Sequence, residues 1–94
     1  MTRYAAGRRA EYRAQRILEA AGYETARMAG SHGYADVIAW NGQQVRFIQV
    51  KRGVGRLTPL EREGFTAMAL PANCTRELWR FPDHCREPLI EVLA

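Results

Sequence analysis

The chain has 94 residues, 47% hydrophobic and 26% charged, enough for one modest core and too few for a second domain or a wide enclosed cavity. Fourteen Lys and Arg against ten Asp and Glu give a net charge of +4, and Cys74 and Cys85 form no CxxC pair, which argues against a disulfide scaffold and for reduced thiols in the cytoplasm. The longest uncharged stretch, Gly64–Thr75, contains Pro71 and falls short of the roughly 18 apolar residues of a membrane span, and the N-terminal arginines interrupt any apolar centre of a secretory signal.

Thr2 is placed to cap a first helix that runs to about Ala21, with Ala10, Ala14, Ile17, Leu18 and Ala21 as its apolar stripe and Gly22 at the usual stop position. Tyr23–Met28 reads as a short strand, and Ala29-Gly30-Ser31-His32-Gly33 as a glycine-bearing loop. Tyr34–Trp40 and Gln43–Lys51 are rich in β-branched and aromatic residues and flank Asn41-Gly42, a strong signal for an antiparallel hairpin with a two-residue turn. Thr58-Pro59-Leu60-Glu61 is a capping box with proline at the first helical position, opening a second helix that ends near Leu70, before Pro71. Arg76–Phe81 is strand-like at Leu78-Trp79-Arg80-Phe81, and Leu89–Leu93 is an apolar segment compatible with a strand or a helical turn. No repeat or linker interrupts the series, so the expectation is a single α/β domain over 1–94 with the order αβββαβ and a mixed central sheet flanked by helices.

A two-residue turn pairs Trp40 with Gln43, which places Asp36 opposite Phe47 and Tyr34 opposite Gln49. Alternation then puts Asp36, Gln49 and Lys51 on one face, with Gln49 diagonal to Asp36 at roughly 7–8 Å between Cα atoms. A carboxylate, an amide and a lysine make a poor core, because unpartnered burial of such groups costs several kcal/mol. Glu11 lies on the helical line Gly7, Glu11, Ala14, Leu18, where it is either an exposed flank residue paired with Arg8 or Gln15 or a third polar group turned towards the other two. Two acids and an amide oxygen are hard ligands of the kind that suit magnesium, with water and phosphate oxygens completing the shell.

Taken in order, Glu11, Gly30-Ser31, Asp36-Val-Ile-Ala and Phe47-Ile-Gln49-Val-Lys51 resemble the PD-(D/E)XK nuclease superfamily, particularly the archaeal Holliday junction resolvases. The resemblance covers residues 4 to about 70. It implies a restriction-endonuclease-like fold and a magnesium-dependent DNA endonuclease, with manganese as a substitute. In it Asp36, Gln49, the Val50 carbonyl and Glu11 surround the metal, and Lys51 orients the attacking water or stabilises charge on the phosphate. Ser31 resembles the family's loop serine, which implies a DNA contact to a phosphate near the scissile one, and its other reading is a turn residue. The expected substrate is branched DNA such as a four-way junction, cut by a homodimer because two strands require two sites. The second helix and the last strands are the expected interface. A nicking or flap nuclease of the same superfamily and a catalytically weak DNA-binding module are the alternatives. Two positions depart from the pattern. Ala35 stands where the family has proline, which contributes shape and no ligand, and Gln49 replaces an acid, leaving the site one negative charge poorer and the metal more weakly held.

Charge placement fits a nucleic-acid partner. Residues 1–56 carry net +6 and residues 57–94 net −2, and thirteen of the fourteen basic residues are arginine, whose planar fork suits phosphate. An arginine-rich genome would give the same bias. Arg8, Arg9 and Arg27 with Arg52 and Arg56 are the candidate phosphate contacts, the Gly53–Arg56 loop being best placed because it leaves the sheet beside Lys51. Arg9, Arg13 and Arg16 follow helical spacing, as a solvated face also would. Cys74 and Asp83-His84-Cys85 lack zinc-site spacing, and His32 reads as an incidental loop residue.

Overall fold

The computed structural model describes the backbone of residues 3–28 and 35–93, with side chains from residue 7 onward. Thr2, Ser31, His32 and Tyr34 lie outside the described residues. Seven elements follow one another: α1 (Arg3–Ala20), β1 (Glu24–Arg27), β2 (Val37–Trp40), β3 (Val45–Arg52), α2 (Pro59–Ala67), β4 (Cys74–Phe81) and β5 (Leu89–Val92). The five strands form one sheet in sequence order. All neighbours are antiparallel except β3 and β4, which run parallel and are joined through α2. The expected mixed sheet with helices on its faces is therefore present, and the undecided last segment is a strand.

Two apolar clusters sandwich the sheet. Ala10, Ala14 and Leu18 of α1 pack on Val37, Ala39, Ile48, Val50, Trp79 and Phe81, while Phe65 of α2 joins Ala35, Leu57, Leu78 and Leu93 on the other side. The small residues of α1 allow the helix to lie close to the strands, and its buried line is narrower than the expected stripe: Ile17 and Ala21 are exposed. Gly22 ends the helix at φ 95°, a left-handed conformation that favours glycine. At its centre β3 buries Ile48, Gln49 and Val50 in succession, which requires cover on both faces and explains its unbroken apolar character apart from Gln49.

The hairpin differs from the expectation in register. Trp40 pairs with Val45 and Val37 with Ile48, so residues 41–44 form the connection and β3 starts at Val45 instead of Gln43. Asn41 Oδ1 accepts from the amides of Gln43 at 2.8 Å and Gln44 at 2.9 Å, a side-chain turn that organises a longer loop. A two-residue type I′ turn requires positive φ, which among the described glycines occurs at Gly22 and Gly53 and not at Gly42. A shift of two residues preserves every face, whereas a shift of one would have inverted them all. Asp36 accordingly remains on the side of Gln49 and Lys51, one step beyond the last β2–β3 pair, opposite Gln49 and no longer diagonal to it.

Strand β4 extends back to Cys74 because all eight of its residues pair with β3. Helix α2 begins with the expected capping box and stops earlier than Leu70, with Met68 already extended at φ −60° and ψ 130°. Arg76 reaches over from β4 to this end, donating to the Phe65 carbonyl at 3.0 Å and to that of Met68. A guanidinium there satisfies terminal carbonyls that the helix leaves unpaired.

Candidate active site

The polar residues singled out by the sequence converge where β3 and β4 end. Strand β2 stops pairing at Val37, so the Val50 amide lies beyond its reach, and the Asp36 carboxylate takes that position: Val50 N–H donates to Asp36 Oδ2 at 2.8 Å. The Asp36 backbone remains in the sheet, donating to the Ile48 carbonyl and accepting from the Met28 amide, each at 2.8 Å. Main chain and side chain together fix its direction. Gln49, only 5% exposed, lies beside it on β3.

Lys51 follows on the same face, half-buried, with Nζ 3.2 Å from Glu61 Oε2. The sequence identified Glu61 only as part of a helix cap, and no local pattern links it to Lys51. Its arrival depends on the chain turning back after β3. Gly53 adopts φ 56°, and a Cβ on Gly55 would stand 2.9 Å from the Arg52 carbonyl oxygen, so both glycines serve this turn. Glu61 titrates below its ordinary range, chiefly because it accepts the Thr58 backbone N–H and also because Lys51 faces it.

Glu11 approaches from α1. Its partner is neither Arg8 nor Gln15, the two suggested by helical spacing, but Arg27 on β1, whose Nη1 donates to Glu11 Oε1 at 3.1 Å. Gln15 instead bonds Thr25. Burial pushes the Glu11 carboxyl up, the negative charge of Asp36 pushes it further, and Arg27 and Arg8 offset only part of this. Asp36 is also raised, first by burial and further by the charge of Glu61, against the lowering effects of the Val50 N–H and Lys51. Two carboxyls that resist ionisation within range of each other constitute a place where a cation lowers the energy of both.

The candidate phosphate-binding arginines do not behave alike. Arg27 is engaged by Glu11 and lies over the Tyr12 ring at 4.8 Å, so its guanidinium is committed within the protein. Arg8 is half-buried on α1, whereas Arg9, Arg52 and Arg56 are exposed. Arg9 and Arg52 border a cleft shared with Arg13 and residues 81–84. Arg13 departs from the expected stripe with Arg9 and Arg16: it stacks on Phe81 and donates to the carbonyls of Cys85 and Arg86 at 2.9 and 2.8 Å, tying down the loop before β5.

Among the described residues no three His, Cys, Asp or Glu side chains are arranged around one ion position. The oxygen groups gathered here are the Asp36 carboxylate, the Gln49 side-chain amide and backbone carbonyls, with Glu11 nearby, all of the hard type. That chemistry fits magnesium, which retains several waters and takes the rest of its shell from one or two carboxylates and substrate phosphate.

No protein-family model matches the chain, and no curated protein does. Among solved structures, it is similar to that of Archaeoglobus fulgidus Hjc, a Holliday junction resolvase from an archaeal hyperthermophile, at a TM-score of 0.74 and 22% identity over 94% of this chain and 71% of that one. The five-stranded mixed sheet with its two helices therefore has the restriction-endonuclease-like α/β fold of that resolvase.

Proposed function

We propose that this chain is a metal-dependent endonuclease that hydrolyses phosphodiesters in branched DNA, four-way junctions foremost, and acts as a homodimer. The observation that carries this reading is the convergence of Asp36, Gln49 and Lys51 at one end of a sheet with the Hjc-like fold, within electrostatic range of Glu11 and Glu61. An exposed arginine surface at Arg9, Arg52 and Arg56 adjoins that end.

In this mechanism Asp36, Gln49 and the Val50 carbonyl, with Glu11 nearby, would hold magnesium or manganese. Such a metal would supply Lewis-acid polarisation of the scissile phosphate and lower the pKa of the attacking water. The Val50 N–H fixes the direction of the Asp36 carboxylate. Lys51 supplies a protonated ammonium that orients the water or stabilises the charge developing on the phosphate oxygens. Arg9, Arg52 and Arg56 position the backbone on either side without reading bases, which makes binding steeply dependent on salt.

A homodimer accords with the apolar residues left uncovered on α2 and β5. Leu60 is 78% exposed, Leu89 55%, Ile90 49% and Val92 61%, a concentration on adjoining elements in the half of the chain whose net charge suits DNA least. Gln49 favours a second reading, a DNA-binding module with weak cleavage, because the missing carboxylate lowers the site's affinity for metal. The decisive experiment incubates the protein with magnesium or manganese and end-labelled four-way junction or matched linear duplex. Paired symmetric cuts in the junction alone establish resolution. Equal cutting of both substrates indicates a general nuclease, and tight binding without cleavage indicates the binding module. Sedimentation as a monomer at micromolar concentration contradicts the dimer.

A further inference from the structure

We infer that Glu61 is a positioning residue for Lys51, and that the N-terminal cap of α2 is thereby part of the proposed cleavage machinery. This rests on the nuclease reading given above. Lys51 is the single lysine among fourteen basic residues, the other thirteen being arginine. An ammonium is a compact charge on a flexible four-carbon stem, whereas a guanidinium is a rigid fork, so a site that requires the former must also aim it.

Two carboxylates are available to attract that ammonium, and they have opposite consequences. An ion pair with Asp36 would consume the group proposed to face the metal. The structure directs Nζ to Glu61 instead, at 3.2 Å, while Asp36 is held by the Val50 N–H. Lys51 thus influences Asp36 through space and bonds elsewhere.

Glu61 is itself immobilised. Its Oε1 accepts the Thr58 N–H at 2.8 Å, and its own N–H donates to Thr58 Oγ1 at 3.1 Å, the two bonds of a capping box. One carboxylate oxygen therefore closes the helix cap and the other receives the lysine. Phe65, one turn on and fully buried, anchors α2 to the sheet. The direction of the Lys51 ammonium is in this way referred to the rigid core and does not depend on its own rotamers.

The two functions of Glu61 can be separated. Glu61→Gln keeps an N3 acceptor that capping boxes accept, and removes the charge opposite Lys51. Thr58→Ala removes the cap hydroxyl and leaves the Glu61 carboxylate and the Thr58 backbone N–H in place. In single-turnover cleavage of a four-way junction with magnesium, Glu61→Gln is expected to lower the rate about 10- to 100-fold, the range for a misplaced catalytic group. Its melting temperature is expected to fall less than that of Thr58→Ala, and its junction Kd to match that of the wild type. Thr58→Ala, which keeps the carboxylate opposite Lys51, is expected to melt earlier and to lose far less cleavage than Glu61→Gln. Because Lys51 is the only lysine, protein labelled with 13C- and 15N-lysine gives one side-chain Cε signal, expected to move towards the free-lysine position in Glu61→Gln and to stay in Thr58→Ala. Wild-type cleavage with an equal or faster Glu61→Gln rate overturns the positioning role and leaves the nuclease reading intact, and so does an unmoved lysine signal. A wild-type chain that cuts neither junction nor duplex with either metal overturns both.

Discussion

Two acids one residue apart along the strands lie on opposite faces of the sheet, and their environments differ in kind. On the face covered by α1, Glu77 pairs with Ile48, is 2% exposed and accepts four hydrogen bonds: two from Arg46 at 2.8 and 2.7 Å, one from the Thr75 hydroxyl at 2.6 Å and one from the Trp79 indole at 2.8 Å. Burial pushes its carboxyl up, but these donors outweigh burial and hold it below the ordinary glutamate range. On the other face, opposite Gln49, Asp36 is given the Val50 N–H among the described residues, and burial leaves it raised. A buried charge whose lone pairs are filled serves the fold, whereas one left short of compensation is stabilised by whatever cation arrives. Arg46 also stacks over Tyr23 and Trp79, at 5.1 and 5.5 Å, so the first network is braced by aromatic rings as well as by hydrogen bonds.

The comparison predicts effects of different kinds on the two faces. Asp36→Ala and Lys51→Ala are each expected to lower junction cleavage by about 10²–10⁴-fold while the protein still melts cooperatively. Reductive methylation of the single lysine, followed by the same assay, provides a check without mutation. Glu77→Ala is expected to cost about 3–5 kcal/mol in urea denaturation, because it strips the half-buried Arg46 of its partner and leaves the buried Trp79 indole N–H without an acceptor. Glu77→Gln is expected to cost about 1–3 kcal/mol. If Glu77→Ala abolished cleavage without destabilising the chain, the division between the two faces would be wrong. Gln49→Glu, which adds a second carboxylate beside Asp36, is expected to lower the magnesium concentration for half-maximal cleavage by about tenfold. No change there would show that an amide oxygen suffices.

The smallest effects are also the sharpest, because the two acids carry opposite signs. A carboxyl depressed in the fold, as at Glu77, contributes stability that is present above its unfolded value and is lost as pH falls through its folded value. The stability gap between wild type and Glu77→Gln is therefore expected to narrow on acidification. A carboxyl raised in the fold, as at Asp36, makes the ionised state costly at neutral pH, and that cost disappears as pH falls through its raised value. In chelator at neutral pH, Asp36→Asn is expected to be more stable than the wild type, with the advantage vanishing in acid. Urea midpoints measured across this pH range test both signs in one series.

Much of this was legible in the residues. The α2 cap is written in Thr58-Pro59-Leu60-Glu61 because every bond it makes lies within one helical turn. Period-two alternation identified the shared face of Asp36, Gln49 and Lys51 correctly even though the register was displaced by two, since only odd shifts exchange faces. The register itself was illegible, because Asn41-Gly42 signals a short turn and the Asn41 side chain instead organises a longer one through two amides. Arg27 and Arg13 looked available to phosphate because sequence spacing ignores partners on other elements, Glu11 across to β1 and the carbonyls of residues 85 and 86.

The sequence by itself determined the helix cap, the apolar faces, the excess of arginine over lysine and the order of the polar residues, all of which depend on neighbours close in the chain. Tertiary structure alone decided which carboxylate meets Lys51, how Glu77 becomes the saturated acid and Asp36 the unsaturated one, and which arginines remain exposed. Those outcomes depend on the parallel pairing of β3 with β4 and on the return of α2 over the sheet, contacts between residues far apart in sequence whose energies no local pattern encodes.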